Sequence, residues 1–81
     1  MMSISLSNEE RLGLLREIGL RIKQERAVRQ ITQSDLAKAL NTKQSVVSRI
    51  EAGGTGTSVV TLYRIAKALN VSLGALIPKE F

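Results

Sequence analysis

The sequence contains no cysteine, no histidine and no tryptophan. Without cysteine there is no disulfide, thiol nucleophile or thiolate ligand, and without histidine the usual general base at neutral pH and the other common metal ligand are missing too. Zinc-finger architectures are excluded. A single Phe and a single Tyr provide no aromatic platform for stacking unpaired bases, which favours duplex over single strands if the partner is a nucleic acid. No apolar run approaches the roughly 20 residues of a membrane span, and the N-terminus lacks the basic segment and apolar core of a secretion signal. A soluble, cytoplasmic chain with no membrane partner is expected. Acidic residues are outnumbered, seven against twelve Lys and Arg, and the net charge of +5 suits a polyanion.

The chain is short, 81 residues, so one small domain is expected, with a modest core unless the chain oligomerises. Its centre is Thr32 to Glu51. Leu36, Ala37 and Leu40 recur at the spacing that stacks side chains on one helical face, and Val47 and Ile50 do so again after a break at Asn41-Thr42. Two short amphipathic helices joined by a tight turn follow. Thr32 is read as the N-cap of the first, with Asp35 three residues on in the place of the usual Glu, and Thr42 as the cap of the second. With the core positions set aside, the start of the second helix carries Lys43, Gln44, Ser45, Ser48 and Arg49. Amide and guanidinium groups on the first turns of an exposed helix suit base edges, because Gln pairs bidentately with adenine and Arg with guanine.

Residues 1–7 show no period and are expected to form a flexible segment, with the domain spanning 8–81. Ser7 followed by Glu10 spells a capping box, and Leu12, Leu15, Ile18 and Ile22 mark an apolar stripe, so one long helix from Asn8 to about Arg29 is predicted. Gly13 and Gly19 weaken it, which leaves its first two turns open to being separate or mobile. Beyond Glu51, the Gly-rich run from Ala52 to Thr57 ends the third helix. Thr57 or Ser58 then caps a fourth, whose inner face is read as Val59, Leu62, Ile65, Ala66 and Leu69, with Arg64 and Lys67 pointing to solvent. Ser72 caps a short fifth helix, Leu73 to Ile77, which Pro78 ends. No strand pattern appears, and the class is all-α.

The run IGLRIKQERAVRQITQSDLAKALNTKQSVVSRIEAG, followed by TLYRIAKALNVSLGALI, resembles the helix-turn-helix domains of the Cro and lambda-repressor class, also called the xenobiotic-response-element family. Four features agree: the Arg21-Ile22 pair, the TQ-x-x-LA start of the second helix, the Q-S-x-V-S-R-I-E third helix, and the I-A-K-A-L-N-V of the fourth. The resemblance implies a five-helix lambda-repressor-like domain whose third helix lies in the major groove of a double-stranded DNA operator, bound by a homodimer. It also implies that Gln44 and Ser45 contact bases, that Gln33 bonds a phosphate and braces Gln44, and that Lys43 and Arg49 flank them. Arg26 and Glu51 would form a structural ion pair. Val46 is read as exposed and within reach of a thymine methyl, Ser48 joins the same face, and Thr55 sits in a turn whose amides favour an anion. Glu25 and Thr42 depart from the family's pattern, which often has apolar residues at both places.

No catalytic constellation accompanies these residues. Asp35, Glu51 and Glu80 lie on different segments with no base or nucleophile between them, so neither an enzyme nor a cofactor is expected. Gly53, Gly54 and Gly56 are turn residues, since no strand precedes them and no G-K-[ST] follows. The dimer contact is placed on Leu73, Leu76, Ile77 and Phe81, an apolar surplus for a small core. With no second domain expected, the chain reads as a small stand-alone transcriptional regulator, a repressor by preference. The rival reading is an antitoxin or adaptor whose main task is to hold a toxin or other protein partner through Leu12, Leu14, Leu15 and the C-terminal apolar residues.

Overall fold

A computed structural model describes residues 3–79. Among these residues four α-helices follow one another, α1 (Asn8–Val28), α2 (Gln33–Ala39), α3 (Gln44–Glu51) and α4 (Val59–Leu69), and a 3-10 turn, Leu73–Leu76, comes after them. No strand occurs among the described residues.

The helices begin where hydroxyl side chains take the first free amides. Ser7 and Glu10 close a reciprocal capping box, Glu10 N donating to Ser7 Oγ at 3.0 Å and Ser7 N to Glu10 Oε1 at 3.1 Å. Thr32 and Asp35 do the same at 2.9 and 3.1 Å. Ser58 accepts from Thr61 N at 3.1 Å and starts α4. Only α3 departs from this pattern. Its N-cap is Lys43, which offers no side-chain bond, so Thr42 is not the cap the sequence suggested. Thr42 instead lends its amide to the end of α2.

All four helices stop in one way. A residue with left-handed backbone follows each, namely Gln30 (φ 57°), Asn41 (56°), Gly53 (73°) and Asn70 (58°). The next amide then reaches back to a free carbonyl: Ile31 to Arg26 at 3.0 Å, Thr42 to Ala37, Gly54 to Arg49 and Val71 to Ala66, each at 2.9 Å. These are Schellman closures, which use carbonyls that the helix ends leave without partners. Ile31 and Val71, brought back by the turn, pack on the core.

The core collects Ile18 and Ile22 from α1, Leu36, Ala37 and Leu40 from α2, Val47 and Ile50 from α3, Leu62, Ile65, Ala66 and Leu69 from α4, and Leu76 from the 3-10 turn. Leu12 and Leu15 are only half-buried, while Leu14 packs against the cluster. Gly19 is no weak point in α1. A methyl there would collide with the backbone carbonyl of Glu51 and stand 2.6 Å from that of Ile50, so glycine is what lets α1 lie on the end of α3. At Gly53 a Cβ would meet the backbone nitrogen of Arg16 at 2.8 Å. The N-terminal half of α1 is thus continuous with the rest and is seated against the α3 turn.

Several expectations on the last elements are corrected. Val59 does not belong to the inner face of α4; it is 69% exposed, as is Val60 at 70%, because α4 meets the core only from Leu62 onward. The fifth helix is the four-residue 3-10 turn and not an α-helix. Ser72 makes no side-chain cap bond, Gly74 disfavours helix inside the turn, and Pro78 cannot continue it, so a segment this short never pays the cost of an α-helical nucleus. Leu76 is fully buried there. It anchors its own chain and has no surface to give a dimer, in contrast to Leu73 and Ile77, which stay half-buried. Phe81 lies outside the described residues.

Candidate nucleic-acid interface

The α2 and α3 helices and the turn at Leu40–Lys43 set the expected reading residues at the surface. Lys43, Gln44, Ser45, Ser48 and Arg49 are all exposed. Val46 is not: it is half-buried and packs against the core cluster, because its place on this short helix turns it partly inward beside Val47. Thr55 is half-buried, and its hydroxyl donates to the Gly56 carbonyl at 3.4 Å.

A line of hydrogen bonds runs from the interior to this surface. Arg26 forms a two-pronged pair with Glu51, Nε to Oε2 at 2.8 Å and Nη2 to Oε1 at 3.0 Å, and its Nη1 donates to the Ile31 carbonyl at 2.9 Å. The side chains of Arg26 and Glu51 are 14% and 3% exposed. Its hydrogen bond to Glu51 raises the Arg26 guanidinium above its ordinary pKa, against the opposing effect of burial. Glu51 Oε1 also accepts from Gln33 Nε2 at 3.0 Å, and Gln33 Oε1 accepts from Gln44 Nε2 at 3.3 Å. Among the described residues no buried side-chain polar atom lacks a partner. A cleft of about 210 Å³ opens beside this line, bordered by Lys23, Gln33, Ser48, Glu51 and Ala52.

Charge is distributed unevenly. Glu17 pairs with Arg21 at 3.3 Å and Glu25 with Arg29 at 2.7 Å along α1, so Glu25 is accommodated at the surface by its own helix. Glu10 and Asp35 are turned toward N-caps. Lys43 and Arg49 have no carboxylate partner among the described residues, so the α3 face keeps an unneutralised positive charge.

Residues 22–76 match the sequence pattern of the family Helix-turn-helix, HTH_3. The chain belongs to this family. Solved structures agree with the membership. The HTH_3 fold is shared with the restriction-modification controller protein C.AhdI from Aeromonas hydrophila, at 27% identity and a TM-score of 0.74, covering 78% of this chain and 96% of that one. The clp gene regulator ClgR from C. glutamicum is similar at 25% identity and a TM-score of 0.76, over 78% of this chain and 81% of its own. The hypothetical transcription factor NHTF from Neisseria shares the fold alone, at 18% identity and a TM-score of 0.77 over 96% of this chain and 87% of that one. The comparison with curated proteins gives no match.

The helix-turn-helix also has supports that the sequence reading missed. Arg64, read as a solvent-facing side chain, donates from Nη2 to the Leu40 carbonyl at 2.7 Å and so closes the end of α2 from α4. Lys67 stands 5.6 Å from the ring centre of Tyr63, a cation–π contact one turn along the same helix. Both basic residues of α4 are therefore engaged within the chain.

Proposed function

We propose that the chain is a sequence-specific double-stranded DNA-binding transcriptional regulator, acting as a repressor on a near-palindromic operator. The observation that carries this reading is the Gln33–Gln44 hydrogen bond at 3.3 Å on an exposed first turn of α3, flanked by Lys43 and Arg49, which have no carboxylate partner among the described residues. A pre-oriented amide between two cations suits a base edge lying between two phosphate strands. Gln44 and Ser45 take the bases, while Gln33, Ser48 and Thr55 lie beside them toward the backbone. The likeness to a restriction-modification controller and a clp gene regulator supports a regulatory role. The reading assigns no catalytic residue and no cofactor.

Operator binding is assigned to a homodimer, because two recognition helices about 34 Å apart, one turn of B-DNA, read a palindrome from one face. Its contact draws on the exposed Val59, Val60 and Tyr63 of α4 together with Leu73 and Ile77. A shift assay on the gene's own promoter region, with and without competitor DNA, tests the function. Tight, sequence-dependent binding is expected, and equal competition by unrelated duplex would defeat the proposal.

A further inference from the structure

The hydrogen bonds that run from Arg26 to Gln44 have a direction, and it is set at their buried end. Glu51, paired with Arg26, is a carboxylate and can only accept. Its Oε1 therefore obliges Gln33 to present nitrogen, which it does at 3.0 Å. An amide that gives its nitrogen to one side offers its oxygen to the other, and its partners alone settle which end is which. Gln33 Oε1 accordingly faces α3, and Gln44 must answer with Nε2, at 3.3 Å. The oxygen of Gln44 and its second N–H are left for the partner, in a fixed order relative to α2.

We infer that Glu51 is a positioning residue for base choice. Its charge fixes the Gln33 amide and, through it, the order in which Gln44 offers donor and acceptor to the groove. The inference rests on the reading of α3 as the DNA-contacting helix. Adenine presents an acceptor, N7, beside a donor, the N6 amino group. One order of the Gln44 amide matches that pair and the reverse order does not. Glu51 itself, with a side chain 3% exposed, stays out of contact with DNA. The two bonds from Arg26, with the third from Arg26 to Ile31, hold the carboxylate in place. Preference at the surface is thus set two side chains away from it.

The test compares the full parent chain with Glu51→Gln and with the pair Arg26→Met and Glu51→Leu. Glu51→Gln keeps the size but allows the Gln33 amide either orientation. The apolar pair removes the carboxylate without leaving a buried charge, an exchange that is often neutral for stability, so a folded protein is at hand even where Glu51→Gln unfolds. The first readout is the side-chain amide resonance of Gln33 in the DNA-free protein. The second is base preference in selection from a randomised duplex pool. In the apolar pair the Gln33 resonance should lose its carboxylate-bonded shift, and discrimination at the position read by Gln44 should fall roughly fivefold to tenfold. An unshifted resonance, or a folded variant that enriches the same bases as stringently as the parent, overturns the inference and leaves DNA recognition standing. A parent that enriches no sequence overturns the DNA reading and the inference with it.

Discussion

Gly19 of α1 lies so close to the backbone carbonyl of Glu51, the last residue of α3, that no side chain fits between them. The helix that carries the reading face is held against α1 by backbone proximity, and the Arg26–Glu51 pair is formed a short way along the same contact.

Gly19→Ala should therefore destabilise the chain, although Ala is favoured over Gly by about 1 kcal/mol inside a helix. The collision is with backbone, which cannot swing aside, and overpacking of this kind costs ~1–3 kcal/mol. Urea denaturation should show a lower midpoint for Gly19→Ala. Gly56→Ala is the control: a Cβ there meets nothing within 4 Å, so its midpoint should stay unchanged or rise slightly.

Glu51→Ala should cost more than the exchange of both partners. Removing one side of a buried pair strands the other, at ~3–5 kcal/mol, whereas apolar replacement of both is often neutral. Arg26→Met with Glu51→Leu should accordingly unfold at a higher denaturant concentration than Glu51→Ala. Equal midpoints would show that the stranded guanidinium finds water.

Asp35 links the start of α2 to pH. The Thr32 backbone amide, followed by the Thr32 hydroxyl, holds its carboxyl below the ordinary range. A group with a depressed pKa in the folded state stabilises fully above its unfolded value and loses that contribution as pH falls through the folded one. Asp35→Asn should be less stable than the parent at pH 7, and the gap should narrow below about pH 4. A gap that stays constant from pH 7 down to acid unfolding would remove the charge from the account.

Much of this fold is visible along the chain because its signals are local. Ser7 with Glu10, Thr32 with Asp35, and the left-handed stops at Asn41, Gly53 and Asn70 each act within a few residues. The stop at Gln30 has no such signal, since Gln is not favoured with left-handed backbone. The Arg26–Glu51 and Gln33–Gln44 partnerships came from the family's pattern. What periodicity could not supply was anything decided by a distant surface: the need for glycine at 19, the reach of Arg64 to Leu40, the burial of Leu76, the exposure of Val59 and the inward turn of Val46. The extension of Gln33 to Glu51 was missed for the same reason, as 18 residues separate them.

Arg64→Ala should weaken the fold while leaving base preference alone. It removes a charge-assisted bond to the Leu40 carbonyl, and because that arginine is partly solvated the loss should fall below the ~1.5–3 kcal/mol of such bonds, at about 1 kcal/mol. Thermal or urea unfolding would register it. A change in operator preference at matched folded fraction would instead assign Arg64 to the interface.

Affinity and selectivity should separate between neighbouring residues of α3. Lys43 and Arg49 are exposed cations without carboxylate partners among the described residues, so on DNA each would displace counterions from a phosphate, and the slope of log affinity against log salt changes by about 0.9 per phosphate contact. Lys43→Ala or Arg49→Ala should flatten that slope by close to one contact and weaken operator and unrelated duplex alike. Gln44→Ala carries no charge change, so it should leave the slope where it was while costing ~1–3 kcal/mol of discrimination at a single base position. The check is fluorescence anisotropy on the operator and on single-base variants, over a salt series, for the parent and the three variants. A Gln44→Ala chain that keeps the parent's preference at every position would remove Gln44 from the reading face. A Lys43→Ala or Arg49→Ala chain with the parent's salt slope would place that cation off the phosphates, leaving its charge to act only on solubility.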